Sequence, residues 1–205
     1  MSVESGPGPP DPAVLTTASP GPRAYRESAA TMPYKVVRQF GPQNGTAWTR
    51  YLEWSKLNQI TDFCSLDSIL NNSVFTPSTA KDWDNCVNED FKTDLITNLE
   101  FALHVQRNAL QSRIFGVTID PRSAPSHEHF DQFLGYDIID GYCDVSLLTN
   151  CGGFPDVFSN DLINQFGLIG DITIAYEVRD NLRNKYSTDS HAKACEVWAV
   201  YRVAP

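Results

Sequence analysis

The chain has 205 residues, 41% of them hydrophobic and 20% charged, proportions of an ordinary globular protein that exclude fibrous and wholly disordered classes. Its 16 basic and 25 acidic residues leave a formal charge of -9. That field repels phosphate backbones and anionic membrane surfaces, so neither nucleic acid nor membrane is an expected partner. The acidity suits either plain solubility or a basic protein partner.

Residues 1–31 hold six prolines and three glycines and no Phe, Trp or Cys. Such a segment buries too little apolar area to offset the entropy of ordering, so the composition predicts a disordered tail on a single domain over 32–205. Met32 opens "MPYKVVRQF", which suits an upstream start-site misassignment as well as a functional linker. Five cysteines, Cys64, Cys86, Cys143, Cys151 and Cys195, are an odd set with no C-x-x-C. No basic stretch followed by an apolar core opens the chain, and no run approaches the ~18 apolar residues of a spanning helix. These features predict a soluble, cytoplasmic protein with reduced thiols.

In chain order, "YKVVRQF" reads as a first strand ending at Gly41-Pro42. In "TAWTRYLEWSKLN", Trp48, Tyr51, Leu52 and Ser55 recur at helical spacing, with Trp54 near the border of the stripe. Ser65 is placed to cap a short helix through Leu66, Ile69 and Leu70. Asn98 caps a helix from Leu99 to about Leu110, and "SRIFGVTID" before Pro121 reads as a strand with Phe115, Val117 and Ile119 on one face. Residues 124–132 read as a loop.

Beyond "GGFP", Ser159 is expected to cap a short helix with Leu162, Ile163 and Phe166 inward. A longer helix follows, with Ile174, Ala175, Val178 and Leu182 on one stripe and Arg179, Arg183 and Lys185 in its last turns, where cations complement the helix dipole. The final strand carries apolar groups on both faces, Cys195, Val197, Ala199, Tyr201 and Val203 against Trp198 and Val200, which marks it as central. Hairpin-linked strands and helices out of strict alternation predict an α+β fold, a mainly antiparallel sheet with helices on its faces.

The stretch "FLGYDIIDGYCDVSLLTNCGGFP" concentrates the candidate chemistry. Asp140-Gly141 suits a type I′ turn, because both central positions need positive φ. A two-residue loop sets Ile139 against Tyr142, Ile138 against Cys143 and Asp137 against Asp144, two carboxylates side by side. Like charges so placed oppose pairing by about 0.2–1 kcal/mol, and an arginine from the Arg179/Arg183 pair, a bound cation or a shared proton would relieve them. A four-residue loop from Asp140 to Cys143 instead places Asp137 opposite Ser146.

Cys151 beside Gly152-Gly153 is a candidate nucleophile, with His191, His127 or His129 as the base it would need. His127, His129 and Asp131, and separately His191 with Cys195, fall short of a complete ligand set, so no metal is expected. Nucleotide-binding, hydrolase-elbow and zincin motifs are absent, and no cofactor is implied. Two functions follow. One is a protein-binding or regulatory module facing a basic partner. The other is a small-molecule hydrolase using Asp137, Asp140 or Asp144 with His127, His129 or His191, or Cys151 with a histidine. They differ in convergence, since an enzyme gathers such groups in one place and a binding module spreads them.

Overall fold

Adjacent residues of a strand face opposite ways, and in β1 (Tyr34–Arg38) this sends Val36 and Val37 into different apolar clusters. The computed structural model, which describes residues 32–64, 66, 95–123, 132–140, 145–149 and 156–203, builds a five-stranded sheet around that alternation. β1 lies between the short β2 (Leu95–Ile96) and β3 (Ser112–Ile119), and β5 (Glu196–Arg202) lies between β3 and β4 (Gln132–Ile139). All four pairings are antiparallel, in the order β2-β1-β3-β5-β4. The architecture is α+β, with β5 interior and both Trp198 and Val200 buried.

One face of the sheet is covered by helices. Val36 and Ile114 meet Phe101, Ala102 and Val105 of α2 (Leu99–Asn108), while Val197, Ala199 and Tyr201 meet Ala175, Val178 and Leu182 of α3 (Ile172–Lys185). Both helices start at a side-chain cap that satisfies otherwise orphaned amides. Asn98 accepts from Phe101 N at 3.1 Å, and Asp171 accepts from Thr173 N and Ile174 N at 2.8 and 3.1 Å. The apolar stripes of these helices are therefore aimed at the sheet from their first turn.

The other face packs against irregular chain. Val37, Phe115, Val117, Trp198 and Val200 meet Cys64, Leu66 and Leu168. Asp62 fastens this cover to the sheet, receiving two bonds from Arg113 of β3 at 2.9 and 3.0 Å and one from Arg202 of β5 at 2.8 Å. Thr61 N and Asp62 N donate to Gln165 O, and Cys64 N donates to Phe166 O, so the two covering segments also hold each other. α1 (Thr46–Ser55) contributes Trp48 and Tyr51 to an aromatic group with Phe40 and Phe63.

Two expectations need correction. Ile139 pairs with Ser146, not Tyr142, and the ladder bonds are Asp140 N to Val145 O at 3.0 Å and Leu147 N to Ile138 O at 2.8 Å. Neither the two-residue turn nor the Asp137–Ser146 backbone register forms. The outer edge of β4 is divided: Tyr136 exchanges both backbone bonds with Ile169, at 2.7 and 2.9 Å, which leaves Ser146 only the end of the strand.

The helix expected from Ser159 is only a 3-10 turn, Asn160–Leu162, with no cap bond from Ser159. Asn164 diverts the chain, its Oδ1 accepting from Phe166 N and Leu168 N and its Nδ2 donating to Leu134 O. A side chain that takes backbone donors in this way competes with helix. The expected Ser65 cap and the 124–131 part of the expected loop lie outside the described residues.

Candidate functional site

Several of the singled-out residues collect at one end of the sheet, where β3 and β4 finish and β5 begins. Asp140 follows the last residue of β4, and His191 lies on the short α4 (Ser190–Lys193), whose N-cap Asp189 accepts from Ala192 N at 3.0 Å. The ring Nδ1 of His191 lies 3.3 Å from Asp140 Oδ2, with the imidazole side chain 47% exposed and the carboxylate side chain only 2% exposed. A buried carboxylate thus backs a solvent-facing ring.

Asp137, one step deeper along β4 and opposite Trp198, is fully buried. Its Oδ1 receives the Ser146 hydroxyl at 2.6 Å and its neighbour's amide, Ile138 N, at 2.8 Å. The observed register does not set Asp137 opposite Asp144, so the strand-paired carboxylate dyad is not formed; Asp144 itself lies outside the described residues. Cys151, His127, His129 and Asp131 do so as well.

The arginines expected to answer Asp137 are engaged elsewhere. Arg179 stacks over the Tyr176 ring at 4.3 Å and bridges Asp180 at 2.7 Å and Asp120 at 3.3 Å. Arg183 donates to the carbonyl of Cys195 from Nε at 3.1 Å and also from Nη2. Both spacings fit α3, which turns these side chains toward the end of β3 and the start of β5 rather than toward the middle of β4.

Asp120, Tyr176 and Glu196 belong to the same sheet end and were not singled out in the sequence. Asp120 has a left-handed backbone, φ +48, and accepts from Tyr176 Oη at 3.0 Å. Burial first, and the Asp120 charge second, push the Glu196 carboxyl above its ordinary range, with Arg183 pulling the other way. Burial and Asp120 also raise the Tyr176 phenol. The one sequence signal for this group is Asp-Pro at 120–121, the residue where a strand must stop.

Neither thiol among the described residues is set up as a nucleophile. Cys64 and Cys195 are buried and free, and burial lifts both above the ordinary thiol value, which keeps them protonated and inert. Among the described residues no three His, Cys, Asp or Glu side chains could together hold a metal ion, and no helix is long and apolar enough to cross a membrane.

A second exposed feature lies on α1. Trp54 is 55% exposed, and its ring sits 6.2 Å from that of Tyr51. Tyr51 stacks on Trp48 at 5.4 Å, meets Phe63 edge-on at 5.2 Å and donates its hydroxyl to Thr149 O at 2.8 Å. An open indole therefore stands on a fixed aromatic base. No family model, no curated protein and no solved structure matches the chain.

Proposed function

We propose that the chain is a cytoplasmic protein-binding module that takes a basic partner through Trp54 and its aromatic base. The exposed indole carries this reading, because large aromatics on rigid supports are the anchors on which protein interfaces concentrate their energy. The net charge of -9 supplies the second element, a long-range field that draws a cationic partner in. A lysine or arginine set over the indole face would then gain about 0.5–1 kcal/mol as a cation–π contact at an exposed site. Elsewhere the arginine and carboxylate groups largely answer one another, Arg179 with Asp120 and Asp180 and Asp62 with Arg113 and Arg202. Such pairing favours structure over chemistry at those positions. The free, buried thiols Cys64 and Cys195 suit a reducing compartment.

Titration with an oligolysine peptide, followed by calorimetry, tests this. Trp54→Ala should weaken binding roughly two- to fivefold, the affinity equivalent of that contact, and added salt should weaken it further in both proteins. An affinity identical in the two proteins would remove Trp54 as the anchor.

A further inference from the structure

The sequence contains a single Asn-Gly dipeptide, Asn44-Gly45, and local geometry calls for both of its residues. Asn44 ends the 3-10 turn Pro42–Asn44 and accepts from Gly41 N at 2.8 Å. Gly45, the N-cap of α1, has φ +54, a conformation that residues with a Cβ rarely adopt. Both residues are exposed, and a Cβ added at Gly45 would meet no atom within 4 Å. An asparagine amide followed by glycine is open to attack by the next backbone nitrogen, because no side chain shields the approach. From this conjunction we propose that Asn44-Gly45 is a self-modifying site, where the asparagine becomes aspartate and isoaspartate as the protein ages.

In the reaction, the Gly45 nitrogen gives up its proton to solvent and bonds to the Asn44 Cγ, closing a succinimide ring. The Cγ–Nδ2 bond breaks, and the amide nitrogen takes a proton from solvent and leaves as ammonia. Water then opens the ring at one of its two carbonyls. Opening at Cγ gives aspartate, and opening at the backbone carbonyl gives isoaspartate, in which the chain runs through the former side chain. The net change consumes water, turning the amide into a carboxylate and releasing ammonium. Two hydrogen bonds oppose the attack, Gly41 N to Asn44 Oδ1 at 2.8 Å and Gly45 N to Pro42 O at 3.1 Å. Both belong to one short 3-10 turn, whose bonds are poorly aligned and open locally at low cost, so the fold slows the reaction without abolishing it. The aspartyl form keeps an acceptor for Gly41 N, now charged and therefore stronger. The isoaspartyl form lengthens the backbone at the root of α1, the helix that bears Trp54. The chemistry itself is independent of partner binding at Trp54.

The test ages the full chain at body temperature in neutral and in mildly alkaline buffer, and follows each asparagine by peptide mass analysis and chromatography. Asn58 is the internal reference, being likewise exposed in a turn but followed by Gln59. Residue 44 should convert about tenfold or more faster than Asn58, the rate ratio for a barrier lower by about 1.4 kcal/mol. Conversion should quicken as pH rises, since the attacking nitrogen must lose its proton, and both acids should appear together with ammonia. Asn44→Gln keeps an amide at the position but requires a larger ring, so conversion there should fall to the rate of the reference or below. The wild-type comparison of residues 44 and 58 needs no variant to fold. Equal rates at those two residues, or conversion that yields aspartate with no isoaspartate, would overturn the proposal.

Discussion

The two faces of the sheet are buried to the same depth by different means. Helices α2 and α3 lay apolar stripes on one face, so Val36, Ile114, Val197, Ala199 and Tyr201 there meet regular, internally hydrogen-bonded elements. The other face is sealed by irregular chain that carries Cys64, Leu66, Phe166 and Leu168 and leans on Asp62, Asn164 and mutual backbone bonds. Helical cover is held by area, and irregular cover by a few particular polar contacts and close approaches. Single substitutions should therefore act differently on the two.

Gly135 should give the largest effect. It sits at a bulge of β4 with φ +144, and a Cβ added there would lie 2.7 Å from Leu168 Cβ and 2.8 Å from Ile169 O. Gly135→Ala combines overpacking of about 1–3 kcal/mol with backbone strain of about 1–3 kcal/mol. Denaturant melts should show a loss of that combined order, and hydrogen exchange should show Ile163–Ile169 released first. Unchanged stability would mean that the irregular cover is more compliant than its contacts imply.

Leu182→Ala tests the helical face. Leu182 is fully buried against β5, and removing its isobutyl group should cost about 2–5 kcal/mol. The loss should appear as one cooperative transition with α3 and the sheet melting together. Selective fraying of α3 alone would break the contrast, since the helical face would then also be locally held.

Glu196→Gln should give the smallest effect, and of opposite sign. Its carboxyl is raised in the folded state, so the folded chain binds more protons than the unfolded one and stability falls as pH rises from the usual glutamate range through the raised value. Glutamine removes that penalty. The variant should melt slightly higher than wild type at neutral pH, with the difference vanishing in acid below the usual glutamate range. A gain that persists in acid would show that the carboxyl's charge is not the cause.

What could be read beforehand divides along the same line. The helices of the first face and strands β1, β3 and β5 follow from local periodicity and from caps such as Asn98, all within a few residues of one another. The irregular face does not. Asp140-Gly141 carries a strong turn signal, yet the register of Ser146 depends on Ile169 having claimed Tyr136, a competition that no local window contains. Asn164 likewise ends a helical pattern, its side chain accepting from Phe166 N and Leu168 N while donating to Leu134 O, a residue 30 positions earlier. At the sheet end, the residue types Asp140, His191, Arg179 and Arg183 were visible, but their partners were not. Asp140 meets His191, and Arg179 meets Asp120, only once the strands are paired.

The divided outer edge of β4 has one more consequence. An unpaired border strand is a template on which a second molecule can add its own strand, and then a third, without limit. Here two short bridges, from Ile169 and from Ser146, occupy that border at separate points, and a bulge interrupts it between Phe133 and Gly135. A foreign strand would find no straight run of vacant donors and acceptors along Tyr136–Ile139. The interruption that defeats a simple hairpin thus also protects the molecule from open-ended self-assembly on this side.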